Sequence, residues 1–377
     1  MAFFVICKNS DVSSDMEEIK MIEGVKFQNF RGFSYLQMES VKPITLISGM
    51  NNVGKSSILD GLFLFFDHTA PECFVKLNSF RGSPSLYDPR YLWEPVFNNL
   101  NTGKNIEIEL VIDGSPAVLK YSRDDAFVFS GNTEIPQNVI DQFVSSVPTS
   151  YTLEFDFKFK EYYEKGHFIT SSTGLLRNME TSINGNKIKP LSFTKFINSL
   201  IVYSSSELAN WIGNLELSGR KEELVKILQL IEPSISDITT IMTGSGGAQI
   251  YARMNGQLLP VKLAGDGFNK WMYIILSIMA HPNSLILIDE IETGIHYSAY
   301  VNLWKVIALT AQKYNCQVIA TTHSYECIRA AVESIEESGR MENFCYFRID
   351  REREGHVAYR YSDDLLKAAI NTNLEVR

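Results

Sequence analysis

The residues whose types and spacing could do chemistry begin with Gly49-Met50-Asn51-Asn52-Val53-Gly54-Lys55-Ser56, which matches G-x-x-x-x-G-K-[ST]. That spacing is the phosphate-binding loop. Gly49 and Gly54 let the backbone turn tightly, so that successive N–H groups face inward around phosphate oxygens. A helix following the loop would point its unpaired N–H groups and positive dipole end at the same anion. Lys55 can then reach the β- and γ-phosphates, and the Ser56 hydroxyl can ligate Mg²⁺. Asn51, Asn52, Val53, Gly54, Lys55, Ser56 and Ser57 are the expected ATP-binding residues. A chance glycine–lysine turn would lack the apolar strand before it and the apolar helix after it, and this stretch has both.

Leu285-Ile286-Leu287-Ile288 runs into two adjacent carboxylates, Asp289 and Glu290. Beyond a strand's carboxyl end two neighbouring side chains can do different jobs. Asp289 would hold Mg²⁺ beside Ser56, and Glu290 would be the general base for the attacking water. This is the Walker B pattern. Thr321-Thr322-His323-Ser324 ends the next strand, where His323 could hydrogen-bond the γ-phosphate or position the water. Gly265-Asp266-Gly267 stands at the start of a further helix and makes a second anion-receptive N-terminus. For a single bound nucleotide that is surplus. It makes sense if the loop meets a γ-phosphate held by another subunit; a simple helix-capping loop is the alternative.

The elements that position these groups read as an α/β fold, a P-loop core with a mostly parallel sheet. Short strands are expected at Ile22 to Phe27, Tyr35 to Met38 and Pro43 to Ile47, then a helix from Lys55 to Phe66. His68 to Asn105 has several prolines and aromatics and looks partly helical. Asn105 to Ile112 and Ala117 to Tyr121 alternate as a hairpin through Asp113-Gly114. Leu153, Phe155, Phe157 and Phe159 lie on one face of a half-buried strand. Asn198 to Tyr203 reads as a strand, Glu207 to Leu217 and Arg220 to Ile231 as helices. Ile235 to Met242, Gln249 to Met254 and Leu258 to Leu263 read as short strands.

Helix and strand then alternate: a helix over Phe268 to Ala280, a strand over Ser284 to Ile288 with the continuous apolar run of a parallel strand, and a helix over Tyr297 to Gln312. Gln317 to Thr321 is a strand and Tyr325 to Glu337 a helix, with closing edge strands at Phe344 to Ile349 and Val357 to Tyr361. The expected organisation is an N-terminal extension (1–20), the first part of an ATPase head with the P-loop (21–67), an inserted lobe with antiparallel strands (68–197), and the rest of the head (198–377).

The 377 residues are 45% hydrophobic and 21% charged, with net charge −9 and pI near 5.3. No global basic field announces nucleic-acid binding. Cys7, Cys73, Cys316, Cys327 and Cys345 form no C-x-x-C pair and read as reduced thiols. No signal peptide or membrane span is evident, and the expectation is a cytoplasmic protein.

Taken together and in this order, Asn52 to Ser57, Gly265 to Gly267, Ile288 to Glu290, Thr293 to His296 and Thr321 to Ser324 resemble the ABC-type ATPases of the RecF/SMC/OLD group. The likeness is greatest to the stand-alone AAA-type ATPases of prokaryotic anti-phage defence loci. The resemblance implies a head that dimerises on ATP, in a homodimer or a higher oligomer, with two nucleotides at the interface. By it, Gly265, Asp266 and Gly267 are the signature acting in trans, Glu290 the catalytic glutamate and His323 the switch histidine. Lys55 joins them in the catalytic set, Glu292 to His296 form the D-loop, and Asn29 and Arg31 border the nucleotide base or ribose. Cofactors are ATP and Mg²⁺. The signature departs from the Ser-Gly-Gly form, no glutamine-loop residue stands out, and the chain has no room for the nuclease domain of OLD proteins.

The resulting expectation is a sensor or regulatory ATPase of an anti-phage system controlling a separately encoded effector, a nuclease by preference. The alternative is a RecF-like DNA-binding repair ATPase, and a third reading is a self-contained nuclease. Asp124, Asp125, Asp141, Glu154 and Asp156 form no metal-site spacing. The lysines from Lys158 to Lys195, interleaved with aromatics, fit a solvated surface or partner patch better than a DNA site.

Overall fold

The computed structural model describes residues 21–70, 72–82, 87–125, 152–171, 174–182, 194–199, 204–242, 247–372 and 374–377. The expectations for residues 1–20, for Asp141, for the lysines within 183–193 and for 200–203 lie outside these described residues.

In chain order the elements are β1 (Ile22–Phe30), β2 (Phe33–Glu39), β3 (Ile44–Ser48), α1 (Lys55–Phe66), α2 (Cys73–Ser79) and α3 (Pro89–Leu92). Next come β4 (Ile106–Ile112), β5 (Ser115–Asp124), β6 (Thr152–Phe159), β7 (Tyr162–Ser171), β8 (Gly174–Ser182) and β9 (Thr194–Ile197). They are followed by α4 (Ser205–Leu217), α5 (Lys221–Gln229), β10 (Ile235–Met242), β11 (Ala248–Met254) and β12 (Gln257–Pro260). The last part holds α6 (Asp266–Ala280), β13 (Leu285–Ile288), α7 (Tyr300–Lys313), β14 (Gln317–Thr321) and α8 (Tyr325–Glu337), then β15 (Phe344–Glu352), β16 (Gly355–Tyr361) and α9 (Asp363–Asn371).

A six-stranded sheet, β16-β15-β3-β14-β13-β9, is parallel in every pairing except β15–β16. Its central strands β3, β14 and β13 are buried on both faces, and successive residues feed different cores. Leu46, Ile286, Ile288, Val318 and Ala320 join α4 to α8 on one side. Ile47, Leu285, Leu287 and Ile319 face α1 and a seven-stranded antiparallel sheet, β2-β1-β4-β5-β6-β7-β8, on the other. Helix α1 is therefore clamped between two sheets, with Ile58, Leu59 and Leu62 fully buried. Gly61 is what permits this, since a Cβ there would meet the Phe27 ring at 2.3 Å. The strands expected in an insertion continue the sheet that β1 and β2 begin. The β4–β5 hairpin turns at Asp113 and Gly114, both at positive φ, as a two-residue mirror-type turn requires.

Two expectations are corrected, and two elements had no counterpart in the sequence reading. Strand β9 at Thr194–Ile197 pairs with β13 and was not foreseen, and Asn198 donates to the Phe80 carbonyl; the strand expected at Asn198 to Tyr203 falls mostly outside the described residues. The strand placed at Leu258 to Leu263 stops at Pro260, which lacks the N–H to extend a ladder, and Val261–Ala264 form a 3₁₀ turn. Strand β15 is interior, paired with β3 and β16, and so is no edge strand. Helix α9 had no counterpart in the sequence reading; Ser362 caps it, accepting from the Leu365 N–H.

Candidate active site

Strand β3 delivers the chain into the phosphate loop, where Gly49 and Gly54 hold φ of 141° and 93°. Gly49 is pressed against β15: a Cβ there would sit 2.3 Å from the Ile349 carbonyl oxygen. At Gly54 a Cβ would strike the Phe33 ring at 2.6 Å. Both glycines are thus required by close approach as well as by backbone conformation.

Lys55 is buried, and its Nζ donates to the carbonyls of Gly49 (2.7 Å) and Met50 (2.8 Å) and lies 3.2 Å from His323 Nδ1. Burial lowers its pKa to about 8, against the pull of Glu292, Asp289 and Glu290. The amine therefore stands at the mouth of the loop on acceptors that a phosphate could replace.

Ser56 Oγ donates to Asp289 Oδ1 at 2.8 Å, and Thr321 Oγ1 donates to the same oxygen at 2.7 Å. Ser56, in the first turn of α1, and Asp289, just past the end of β13, thus meet across 233 positions of sequence. A hydroxyl and a carboxylate side by side are hard oxygen donors of the kind Mg²⁺ accepts, so the residues present fit that ion.

Glu290 adopts φ of 47°, and its N–H donates to Thr321 Oγ1 at 2.9 Å. This turn carries its carboxylate out of the sheet, where it keeps 38% of its side-chain surface open. Thr293 Oγ1 donates to Glu290 Oε2 at 3.2 Å, and His323 Nε2 lies 3.9 Å from Oε1. The His323 N–H donates to Glu292 Oε1 at 2.6 Å. Burial and the neighbouring Lys55 ammonium hold the His323 pKa below its ordinary value, which favours the neutral ring.

Two groups at this site escaped the sequence reading. Arg81, just after α2, donates to Asp289 Oδ2 (3.2 Å), to the Ser56 carbonyl (3.1 Å) and to Asp60 Oδ1 (2.7 Å). Asp60 on α1 is buried and also pairs with Arg31 at 2.9 Å. The Phe80-Arg81-Gly82 tripeptide was visible in the sequence, but nothing local tied it to Asp289. The second is Lys270 on α6, whose Nζ donates to the carbonyls of Glu290 (2.6 Å) and Thr293 (3.1 Å).

The signature residues stand apart from the phosphate loop. Gly265 caps α6 at φ of 96°, and Asp266 and Gly267 form its first turn. Gly267 touches the D-loop so closely that a Cβ would fall 2.8 Å from the Gly294 carbonyl oxygen. Asn29 donates to the Lys104 carbonyl at 2.7 Å, and Arg31 pairs with Asp60 on α1.

Residues 44–329 match a protein-family model described as "AAA domain, putative AbiEii toxin, Type IV TA system". An "ATP/GTP phosphatase" of Helicobacter pylori is 25% identical over 337 residues, covering 84% of this chain and 89% of that protein. An uncharacterized protein of Methanocaldococcus jannaschii is 38% identical over 81 residues, 19% of this chain and 36% of its own. The crystal structure of an Smc head domain with an extended coiled coil, bound to the C-terminal domain of ScpA and derived from Pyrococcus furiosus, aligns with a TM-score of 0.50 at 11% identity. It covers 94% of this chain and 99% of that one, a likeness of fold.

Proposed function

This chain belongs to the AAA domain family with the putative AbiEii toxin description, it is an ATPase of ABC/SMC-like type, and we propose that ATP closes two of its heads to control a separately encoded effector of an anti-phage defence complex. The observation that carries the catalytic part is the Ser56–Asp289 hydrogen bond, with Glu290 and His323 beside it.

The loop N–H groups receive the β- and γ-phosphates, and Lys55 exchanges the Gly49 and Met50 carbonyls for phosphate oxygens. Ser56 and Asp289 would hold Mg²⁺, which supplies charge neutralisation on the phosphates. Glu290 accepts a proton from water as the water oxygen bonds to the γ-phosphorus and the bond to ADP breaks. His323 holds the water or the γ-phosphate in register. Arg81 offers a positive charge to the same corner from α2. Asn29 and Arg31 line the approach to the base or ribose.

Dimerisation is supported by what the surface exposes. Met50 on the phosphate loop, Leu263 before the signature and Tyr297 after the D-loop are 72%, 76% and 65% exposed. Large apolar side chains beside three site loops suit a face that a second head covers. Gly265, Asp266 and Gly267 would then meet the γ-phosphate of the other subunit. The defence role rests on the resemblance carried by the motif set, and a cytoplasmic setting is proposed with it. Among the described residues no helix is long and apolar enough to cross a membrane.

Lys55→Ala should abolish ATP binding. Glu290→Gln should bind ATP yet turn it over about 10²–10⁴-fold more slowly, the usual loss on removing a general base. Co-purification of Glu290→Gln with the neighbouring gene product in ATP, without DNA, supports the effector-control reading. ATP-dependent DNA binding with no protein retained supports the RecF-like repair ATPase instead. Normal hydrolysis by Glu290→Gln would remove the general-base assignment.

A further inference from the structure

The seven-stranded sheet turns Leu153, Phe155, Phe157 and Phe168 toward the core, and alternation sends Glu154 and His167 to the opposite face. Glu154 on β6 and His167 on β7 are direct cross-strand partners. Ser122 on β5 pairs with Glu154, so Asp124, two residues along, lies diagonal to it on the same face. Their ligand atoms converge: His167 Nε2 is 3.1 Å from Asp124 Oδ2 and 3.4 Å from Glu154 Oε2. All three atoms lie within 4.8 Å of one another. The imidazole is 2% exposed, whereas the carboxylates keep 27% and 22% of their side-chain surface open.

We propose that Asp124, Glu154 and His167 form a divalent transition-metal site, separate from the nucleotide site and of the Zn²⁺ or Mn²⁺ class. A tetrahedral metal with bonds of about 2.0–2.2 Å sets its donors about 3.3–3.5 Å apart. The 3.4 Å from the imidazole nitrogen to Glu154 matches that edge, and the 3.1 Å to Asp124 is slightly shorter than it. One imidazole nitrogen with two carboxylate oxygens suits zinc or manganese, and the partly open carboxylate side leaves room for water as a further ligand. One ring nitrogen carries at most one proton, which cannot serve two carboxylates equally. Lys165 Nζ reaches Glu154 Oε2 at 2.7 Å, and this contact yields when the metal enters.

The donors are held by three adjacent strands, so the site needs no loop to close around the ion. This is why sequence spacing missed it. Asp124 and Glu154 show no metal-site spacing in the sequence, and His167 entered no motif; only the register joins them.

The test is isothermal titration of untagged, chelator-treated full-length protein with Zn²⁺, and separately with Mn²⁺, in the absence of nucleotide. Wild type and Ser56→Ala should each bind one equivalent of at least one of the two metals. His167→Gln and Asp124→Asn should each weaken that binding 10-fold or more. Asp124 is partly open at the end of β5, so Asp124→Asn should keep the wild-type thermal unfolding curve and its Mg²⁺-supported ATPase. Failure of wild type to bind either metal, loss of the equivalent in Ser56→Ala, or unchanged affinity in Asp124→Asn would each overturn the proposal.

Discussion

At the scale of single residues, the site is a set of charges whose burial decides their behaviour. Lys270 is the sharpest case. Burial depresses its pKa from 10.5 to about 8, although Glu292, Glu290 and Asp289 pull the other way. Because the folded value lies below the unfolded one, folding penalises the charged amine, and the penalty is released as pH rises from about 8 toward 10.5. The unfolded chain binds more protons across that window, so stability rises with pH there. Wild type should therefore gain on Lys270→Met by up to about 3 kcal/mol over the window, read from urea unfolding at pH 7.5 and pH 10. A constant difference between the two proteins at both pH values would show that Lys270 is already neutral or solvated. The residues proposed to carry the chemistry were largely legible, since Gly49 to Ser57, Asp289-Glu290 and Thr321 to Ser324 are contiguous motifs. Arg81 and Lys270 were not, because their partners are remote: Arg81 and Asp289 are 208 positions apart.

At the scale of elements, sequence periodicity located what local physics determines. The helix α1, the strand β14 and the helix α8 have the bounds that apolar spacing and capping indicate. Ser324 caps α8 by accepting from the Cys327 N–H, as an N-cap serine should. Pairing was less legible. Nothing in Phe344 to Ile349 says that β15 will lie against β3, or that β4 to β8 will extend the sheet of β1 and β2. Those choices are made by which apolar faces need cover. Between elements, the contact of α6 with the D-loop is the most exposed to test. Gly267→Ala would place a methyl 2.8 Å from the Gly294 carbonyl oxygen, and the D-loop must move to admit it. Because Lys270 ties the same helix to the Glu290 carbonyl, the general base should move too. ATP affinity should stay within about threefold while kcat falls about 10-fold or more, the scale of misplacing a reacting group. Unchanged kcat would separate the signature helix from the hydrolytic site.

At the scale of the whole molecule, the parallel sheet puts the phosphate loop, Asp289, Glu290 and His323 at the carboxyl ends of three neighbouring strands, β3, β13 and β14. The signature expected at the start of α6 is tied to that group through Lys270 and the Thr293–Gly294 loop. Under the proposed function a second head supplies the partner that the signature lacks, and the enzyme is complete only as a dimer. ATP then acts on a two-state equilibrium, stabilising the closed pair until hydrolysis removes the γ-phosphate. The measurement that tests this most directly is the solution mass of Glu290→Gln by light scattering, with and without ATP and Mg²⁺. The account predicts that ATP doubles the mass and that adding Lys55→Ala restores the nucleotide-free value. A mass that ATP leaves unchanged, in protein shown to bind ATP, would contradict it.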